Sequence, residues 1–322
     1  MSDSEVATKA PESDAQGDAP RRESHVAGEH CVTDRPTPIG QGSTGEIIKI
    51  NDVDVYISKP ADYPHSPCRL LLLLTGGTGI HSTNHQIQAD RYAAEGFLVL
   101  MPDMFGGDAA PEANSTTIPD SSSAASLLER FKMGAVSVTK AFLIDMWLAR
   151  VTEDKVMPIL LRAIEGAHEH YGDVVRNGDG IYAVGYCIGA RYVLLLAKGG
   201  HSQSQSHSHG GSGDGDEESR PVKAGPFIKA GALAHAASVE PGDFDDLRVP
   251  LNLVCVENDS LFPDKVRIAG EEAMTNADLE HEVTVYPGVP HGFAVVGQYQ
   301  DAAIQDAQAT AFEQMLHWIK EH

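Results

Sequence analysis

The sequence predicts an α/β domain in which a mostly parallel central sheet carries helices on both faces. Three observations predict it. Apolar runs of strand length alternate with helix-length segments along most of the chain, the pattern that parallel βαβ units produce. One apolar run passes into a helix-like run through the tight turn Gly185-Tyr186-Cys187-Ile188-Gly189. Two later runs end in an acid-bearing loop and a histidine-bearing loop, in that order.

Residues 1–30 are rich in Ser, Asp, Glu, Ala and Gly, with almost no large apolar residue. They cannot bury enough surface to offset the entropy of ordering and are expected to form a disordered acidic tail. Residues 31–322 then read as one domain. Segments 46–50 and 53–58 alternate like a hairpin joined at Asn51-Asp52, and Leu70 to Leu74 reads as a buried central strand. A helix is predicted over 84–95, with Ile87 and Tyr92 on its apolar face and Gly96 closing it, followed by a strand over 97–101. The Gly-, Ala-, Pro- and Ser-rich run 105–120 reads as a long loop, and 124–147 carries apolar residues at helical spacing. An amphipathic helix over 156–171 leads to the strand and helix that flank Cys187. Strands at 231–237, 251–256 and 282–286 and helices at 265–274 and 302–319 complete the pattern.

A low-complexity insertion spans 199–220. Its His201, His207 and His209 suit a metal-binding tract, but they lack cysteine partners and lie in a Ser/Gln/Gly background. It reads as a disordered surface insertion, and neither a metal nor a cofactor is expected.

The chain has 322 residues and a formal net charge of −22. That charge argues against nucleic acid or an anionic membrane as a partner, because both need cationic surface. No apolar stretch reaches the ~18 residues of a membrane span, and the acidic start Met1-Ser2-Asp3-Ser4-Glu5 has no secretory signature. A cytoplasmic monomer or homodimer is expected. The four cysteines, Cys31, Cys68, Cys187 and Cys255, are not a disulfide framework. Cys255, inside an apolar strand, reads as a small core residue.

Cys187 carries the chemistry. Gly-x-Cys-x-Gly between strand and helix is the cysteine form of a nucleophile elbow: the turn leaves no room for side chains at its glycines and exposes the middle residue at the top of the sheet. The following helix start adds N–H groups and partial positive charge that favour a thiolate. A catalytic thiol also needs a base, and the base needs an orienting group. Past the 251–256 strand come Glu257, Asp259 and Asp264, and past the last strand comes Pro290-His291-Gly292-Phe293. The order nucleophile, acid, histidine is that of an elbow-type hydrolase.

Gly-Tyr-Cys-Ile-Gly-Ala at 185–190, Asp259 with Pro263 four residues on, and Pro290-His291-Gly292-Phe293 together resemble the dienelactone hydrolase family, a branch of the α/β hydrolases. Val55-Tyr56-Ile57-Ser58-Lys59-Pro60, the run from Met101 to Asp108, and Trp147-Leu148-Ala149-Arg150 extend the resemblance, most closely to eukaryotic members, over roughly residues 31–322. It implies an α/β-hydrolase fold and a triad of Cys187 as nucleophile, Asp259 as orienting acid and His291 as base. The resemblance departs at Gly76, where the bacterial enzymes place a glutamate that helps control the thiol.

The expected activity is cleavage of an ester or lactone by acylation of Cys187 and attack of water assisted by His291. The oxyanion donors expected are the backbone N–H groups of Ile188 and Gly77. Arg191, His235 and His81 are candidate substrate contacts, each with an ordinary alternative: a solvated or sheet-edge cation, a residue behind the site, a polar loop residue. His85, in the same loop as His81, has the same two readings. A non-hydrolytic isomerase or cyclase on this scaffold, or a catalytically idle binding protein, stays open as an alternative. The intact set of Cys187, Asp259 and His291 speaks against the idle protein.

Overall fold

The computed structural model describes residues 34–110, 143–144, 146–200 and 225–322. The expected tail at 1–30, Cys31, most of the 124–147 helical stretch and the histidines of the insertion lie outside the described residues.

Eight strands form one sheet in the order β1-β2-β4-β3-β5-β6-β7-β8. They are β1 (Glu46–Ile50), β2 (Val53–Ser58), β3 (Arg69–Leu74), β4 (Phe97–Pro102), β5 (Ile181–Tyr186), β6 (Gly231–Ala234), β7 (Leu251–Val256) and β8 (His281–Tyr286). β1 pairs with β2 and β2 with β4 antiparallel, and every other pairing is parallel. Among the described residues, the helices with defined bounds are α1 (Thr83–Ala94), α2 (Glu153–His170), α3 (Gly172–Asn177), α4 (Ile188–Ala197), α5 (Asp264–Asn276) and α6 (Ala302–Glu321).

β3 shows why a run of leucines becomes a central strand. Leu70, Leu72 and Leu74 pack with Val156, Leu160 and Ile164 of α2, while Leu71 and Leu73 pack with Tyr92 of α1 and Phe312 and Met315 of α6. Successive side chains point to opposite faces, so a strand covered on both faces must be apolar at every position. β8, at the sheet edge, is only half-buried.

Two predicted boundaries differ more than the rest. α2 starts at Glu153 rather than 156, because Thr152, Glu153 and Asp154 supply a polar first turn that an apolar pattern does not register. β6 ends at Ala234 rather than 237, because His235 adopts φ +36° and turns the chain out of the sheet.

The parallel register aligns the strand ends. Leu74 lies opposite Gly185, Tyr186 opposite Ala234, Ala234 opposite Val254, and Val256 opposite Tyr286. The loops after β3, β5, β6, β7 and β8 therefore meet along one edge. The chain reverses its direction of sheet growth between β3 and β5, and the crevice at such a switch point is where open α/β sheets place their sites. This is the α/β-hydrolase fold.

Candidate active site

The turn after β5 is built by sterics. A Cβ on Gly185 would lie 2.6 Å from both the Gly189 carbonyl oxygen and Val193, and one on Gly189 would overlap the Leu74 carbonyl. Neither position admits a side chain. Cys187 between them takes φ +54° and ψ −116°, a conformation that costs a non-glycine residue about 1–3 kcal/mol and persists only where the surroundings impose it. Here Cys187 N–H donates to the Ala234 carbonyl (3.2 Å), and its own carbonyl accepts from Ala190 (3.2 Å) and Ala237 (3.0 Å). The strain holds the thiol at the helix N-terminus.

Asp259 follows β7 and His291 follows β8. Asp259 Oδ2 lies 2.7 Å from His291 Nδ1, and Asp259 Oδ1 accepts from the Leu261 N–H at 3.0 Å. One carboxylate oxygen thus holds its own loop while the other orients the imidazole. Both side chains are buried. Burial opposes a charge on His291, yet the charge and hydrogen-bonding interactions of Cys187 and Asp259 outweigh it and push the His291 pKa up to about 9. Of the two other acids past β7, Glu257 is exposed and Asp264 pairs with Arg267 at 3.1 Å.

The histidine loop is pinned from two helices. Gln308 of α6 donates to the Phe293 and Val295 carbonyls (2.9 and 2.7 Å), and Gln88 of α1 accepts from the Val296 N–H (3.1 Å). Gln88 also donates to the Tyr186 hydroxyl at 3.0 Å, next to the Cys187 turn. Tyr92, one turn further along α1, reaches the same hydroxyl at 3.0 Å.

A cavity of about 30 Å³, room for a single water, opens beside Cys187; Gly76, Thr78, His85, Tyr186, His235 and Tyr299 are on its wall. His235 is buried, with its ring centroid 4.9 Å from that of His291 in an edge-on arrangement. Neither of its ring nitrogens has a hydrogen-bond partner among the described residues. Burial, with His291 adding like charge, holds its pKa well below the ordinary histidine value, so the ring is neutral.

The two expected oxyanion donors differ in setting. Ile188 opens α4, so its N–H belongs to the first turn, whose N–H groups have no intrahelical acceptor. Gly77 is buried one residue beyond the cavity wall, and its carbonyl accepts from Ala110 at 2.9 Å.

Two expected substrate contacts lie elsewhere. Arg191 turns away from Cys187 and grips Asp243 in the 3₁₀ turn Pro241–Phe244, through Nε–Oδ2 at 2.8 Å and a second guanidinium contact at 3.3 Å. Its charge is spent on that pair. His81 is exposed and off the cavity wall, because α1 begins right after it with Ser82 as N-cap. Four residues on, His85 occupies the wall instead. Its signal in the sequence is position: a residue in the first turn of the helix that follows the first central strand looks toward the strand end.

With fold and geometry in place, comparison with known proteins is direct. The family model described as "Dienelactone hydrolase family" matches residues 53–322. The chain is 26% identical over 283 residues to the hydrolase pyvD of Aspergillus violaceofuscus, covering 88% of this chain and 92% of that protein. It is 25% identical over 278 residues to "Dienlactone hydrolase 1" of Gibberella moniliformis, covering 86% and 87%. Among solved structures, an esterase from Thermogutta terrifontis with propionate bound superposes with a TM-score of 0.54 at 15% identity, covering 85% of this chain and 94% of that one. That likeness is one of fold. The family match runs from β2 to the C-terminal residue and takes in every loop of the site, and on that ground the chain belongs to the dienelactone hydrolase family.

Proposed function

We propose that this ester or lactone hydrolase works through a thioacyl intermediate on Cys187, with His291 as acid and base and Asp259 orienting it. The observation that carries the reading is the 2.7 Å contact between Asp259 Oδ2 and His291 Nδ1, two buried side chains on the same sheet edge as the strained Cys187 turn, with Cys187 and Asp259 both favouring the charged imidazole. In the resting site the proton sits on the imidazole and the sulfur is a thiolate.

From that state the steps balance. The thiolate forms a bond to the carbonyl carbon, and the carbonyl π pair moves to oxygen, facing the N–H groups of Ile188 and Gly77. Collapse of the oxyanion expels the alkoxide, which takes the proton from His291 and leaves a thioester. Acylation removes the negative charge that held the His291 pKa up. The imidazole, now neutral, accepts a proton from water as the water oxygen attacks the thioester carbon. The second collapse expels the thiolate, a good leaving group, and the thiolate–imidazolium pair re-forms. A lactone yields one hydroxy acid, and an open ester an acid and an alcohol.

The test is turnover of p-nitrophenyl acetate and of small lactones by the wild-type chain and Cys187→Ala. Wild-type turnover is expected, and loss of the covalent nucleophile should cost about 10³-fold or more in kcat with the fold retained. Near-normal turnover by Cys187→Ala would overturn the reading.

A further inference from the structure

Beside Cys187 runs a second hydrogen-bonded chain. The Gly76 N–H donates to His85 Nε2 at 3.1 Å. Nε2 is therefore an acceptor, and the proton of a neutral ring sits on Nδ1. His85 Nδ1 lies 3.0 Å from Ser82 Oγ and 3.3 Å from Thr78 Oγ1. Ser82 Oγ in turn donates to Asp34 Oδ2 at 2.6 Å and accepts the His85 backbone N–H at 3.1 Å. Every donor points the same way, from Gly76 through His85 and Ser82 to the Asp34 carboxylate, so the chain has one self-consistent proton arrangement. Burial holds the His85 pKa below the ordinary histidine value, with Asp34 opposing, which keeps the Nε2 lone pair available at neutral pH.

This bond fixes the backbone where the oxyanion donor is needed. The Gly76 N–H is committed to His85 and is not free to meet a substrate. The Gly76 carbonyl accepts from the Gly79 N–H at 3.1 Å. In a trans peptide the next N–H points opposite to that carbonyl, so the Gly77 N–H is turned away from the Gly79 turn. We propose that His85 is a positioning residue: by accepting the Gly76 N–H it anchors the Thr75–Gly76 peptide, and with the Gly76 carbonyl held by Gly79 the next peptide is set so that Gly77, together with Ile188, faces the developing oxyanion. The proposal rests on the thioacyl reading above.

Two reactions of the same sulfur separate this role from simple support of the fold. Ester cleavage builds an oxyanion. Alkylation by iodoacetamide displaces iodide at a saturated carbon and builds none. In His85→Leu, kcat for p-nitrophenyl acetate should fall about 10²-fold with little change in KM, since a donor acting only in the transition state is lost. The rate of Cys187 alkylation should stay within roughly twofold of wild type. His85→Gln, whose side-chain oxygen reaches the Nε2 position as an acceptor, should recover about tenfold or more of the lost kcat. Turnover and alkylation falling together in both variants would mean that His85 only supports the fold, and unchanged turnover in His85→Leu would mean that it positions nothing. Either result overturns the proposal. Absence of Cys187-dependent turnover in the wild type would instead overturn the thioacyl reading on which it stands.

Discussion

A Cβ placed on Gly76 would lie 3.3 Å from the Cβ of Cys187 and 3.6–3.7 Å from the His85 ring. No residue separates that position from Cys187. The Gly76 backbone lies outside the left-handed region, so the first carbon of a side chain there is resisted only by that contact. Gly76→Glu should introduce a carboxylate against the thiol and raise the apparent pKa of Cys187 by about one unit or more through like-charge repulsion. Gly76→Ala is the control for crowding. The check is the pH dependence of iodoacetamide inactivation in the three proteins. A Glu profile that overlays the Ala profile would count against the electrostatic argument.

The wild-type profile carries its own expectation. Cys187 favours the charged form of His291, and by the same coupling the imidazolium favours the thiolate. The inactivation rate should be half-maximal below about pH 7, against roughly 8.5 for a free cysteine. It should then stay level until His291 loses its proton near the pKa of about 9. Half-maximal alkylation at or above the free-cysteine value would show that the resting sulfur is a neutral thiol.

Asp259→Asn keeps the shape of the side chain and removes its charge. The amide no longer compels the Nδ1–H tautomer, and kcat should fall by about 10²–10⁴ while the melting temperature changes little. Glu257→Gln, at an exposed position past the same strand, should leave kcat within a few-fold. A mild Asp259→Asn with a damaging Glu257→Gln would reassign the acid.

Arg191 should matter to stability and not to substrate affinity. Replacing it by Met strands the buried Asp243 carboxylate without its guanidinium partner. The expected cost is about 2 kcal/mol or more, less than for a fully buried pair because Arg191 is partly exposed. KM for acidic and neutral esters should change in parallel if at all. A selective loss of affinity for acidic esters would return Arg191 to the substrate site.

What the sequence discloses here is what depends on order and period. The leucines of β3 announce a strand covered on both faces. The glycines around Cys187 announce a turn with no space for side chains, and the succession Cys187, Asp259, His291 follows from where parallel strands end. The hidden parts depend on partners brought from far along the chain. Arg191 reads as a candidate ligand contact until Asp243, on a turn that follows β6, arrives to neutralise it. His81 and His85 look alike in a polar loop, and only the onset of α1 at Thr83 decides that one faces solvent and the other the thiol. The early end of β6 comes from His235 itself, whose positive φ no strand pattern encodes.

Gln88 joins parts of the site that belong to different regions of the chain. Its one amide holds the Tyr186 hydroxyl at the end of β5 and the Val296 N–H of the histidine loop, while three residues earlier His85 holds the Gly76 loop. A single helix thus keeps the Cys187 turn, the His291 loop and the Gly76 loop in mutual register. Such a site has little freedom to loosen piecemeal on heating. Inactivation should track the global melt as one cooperative event, with no temperature range in which the protein is folded but idle. Gln88→Leu should uncouple the two curves, and activity would then fade several degrees before the far-ultraviolet circular dichroism does.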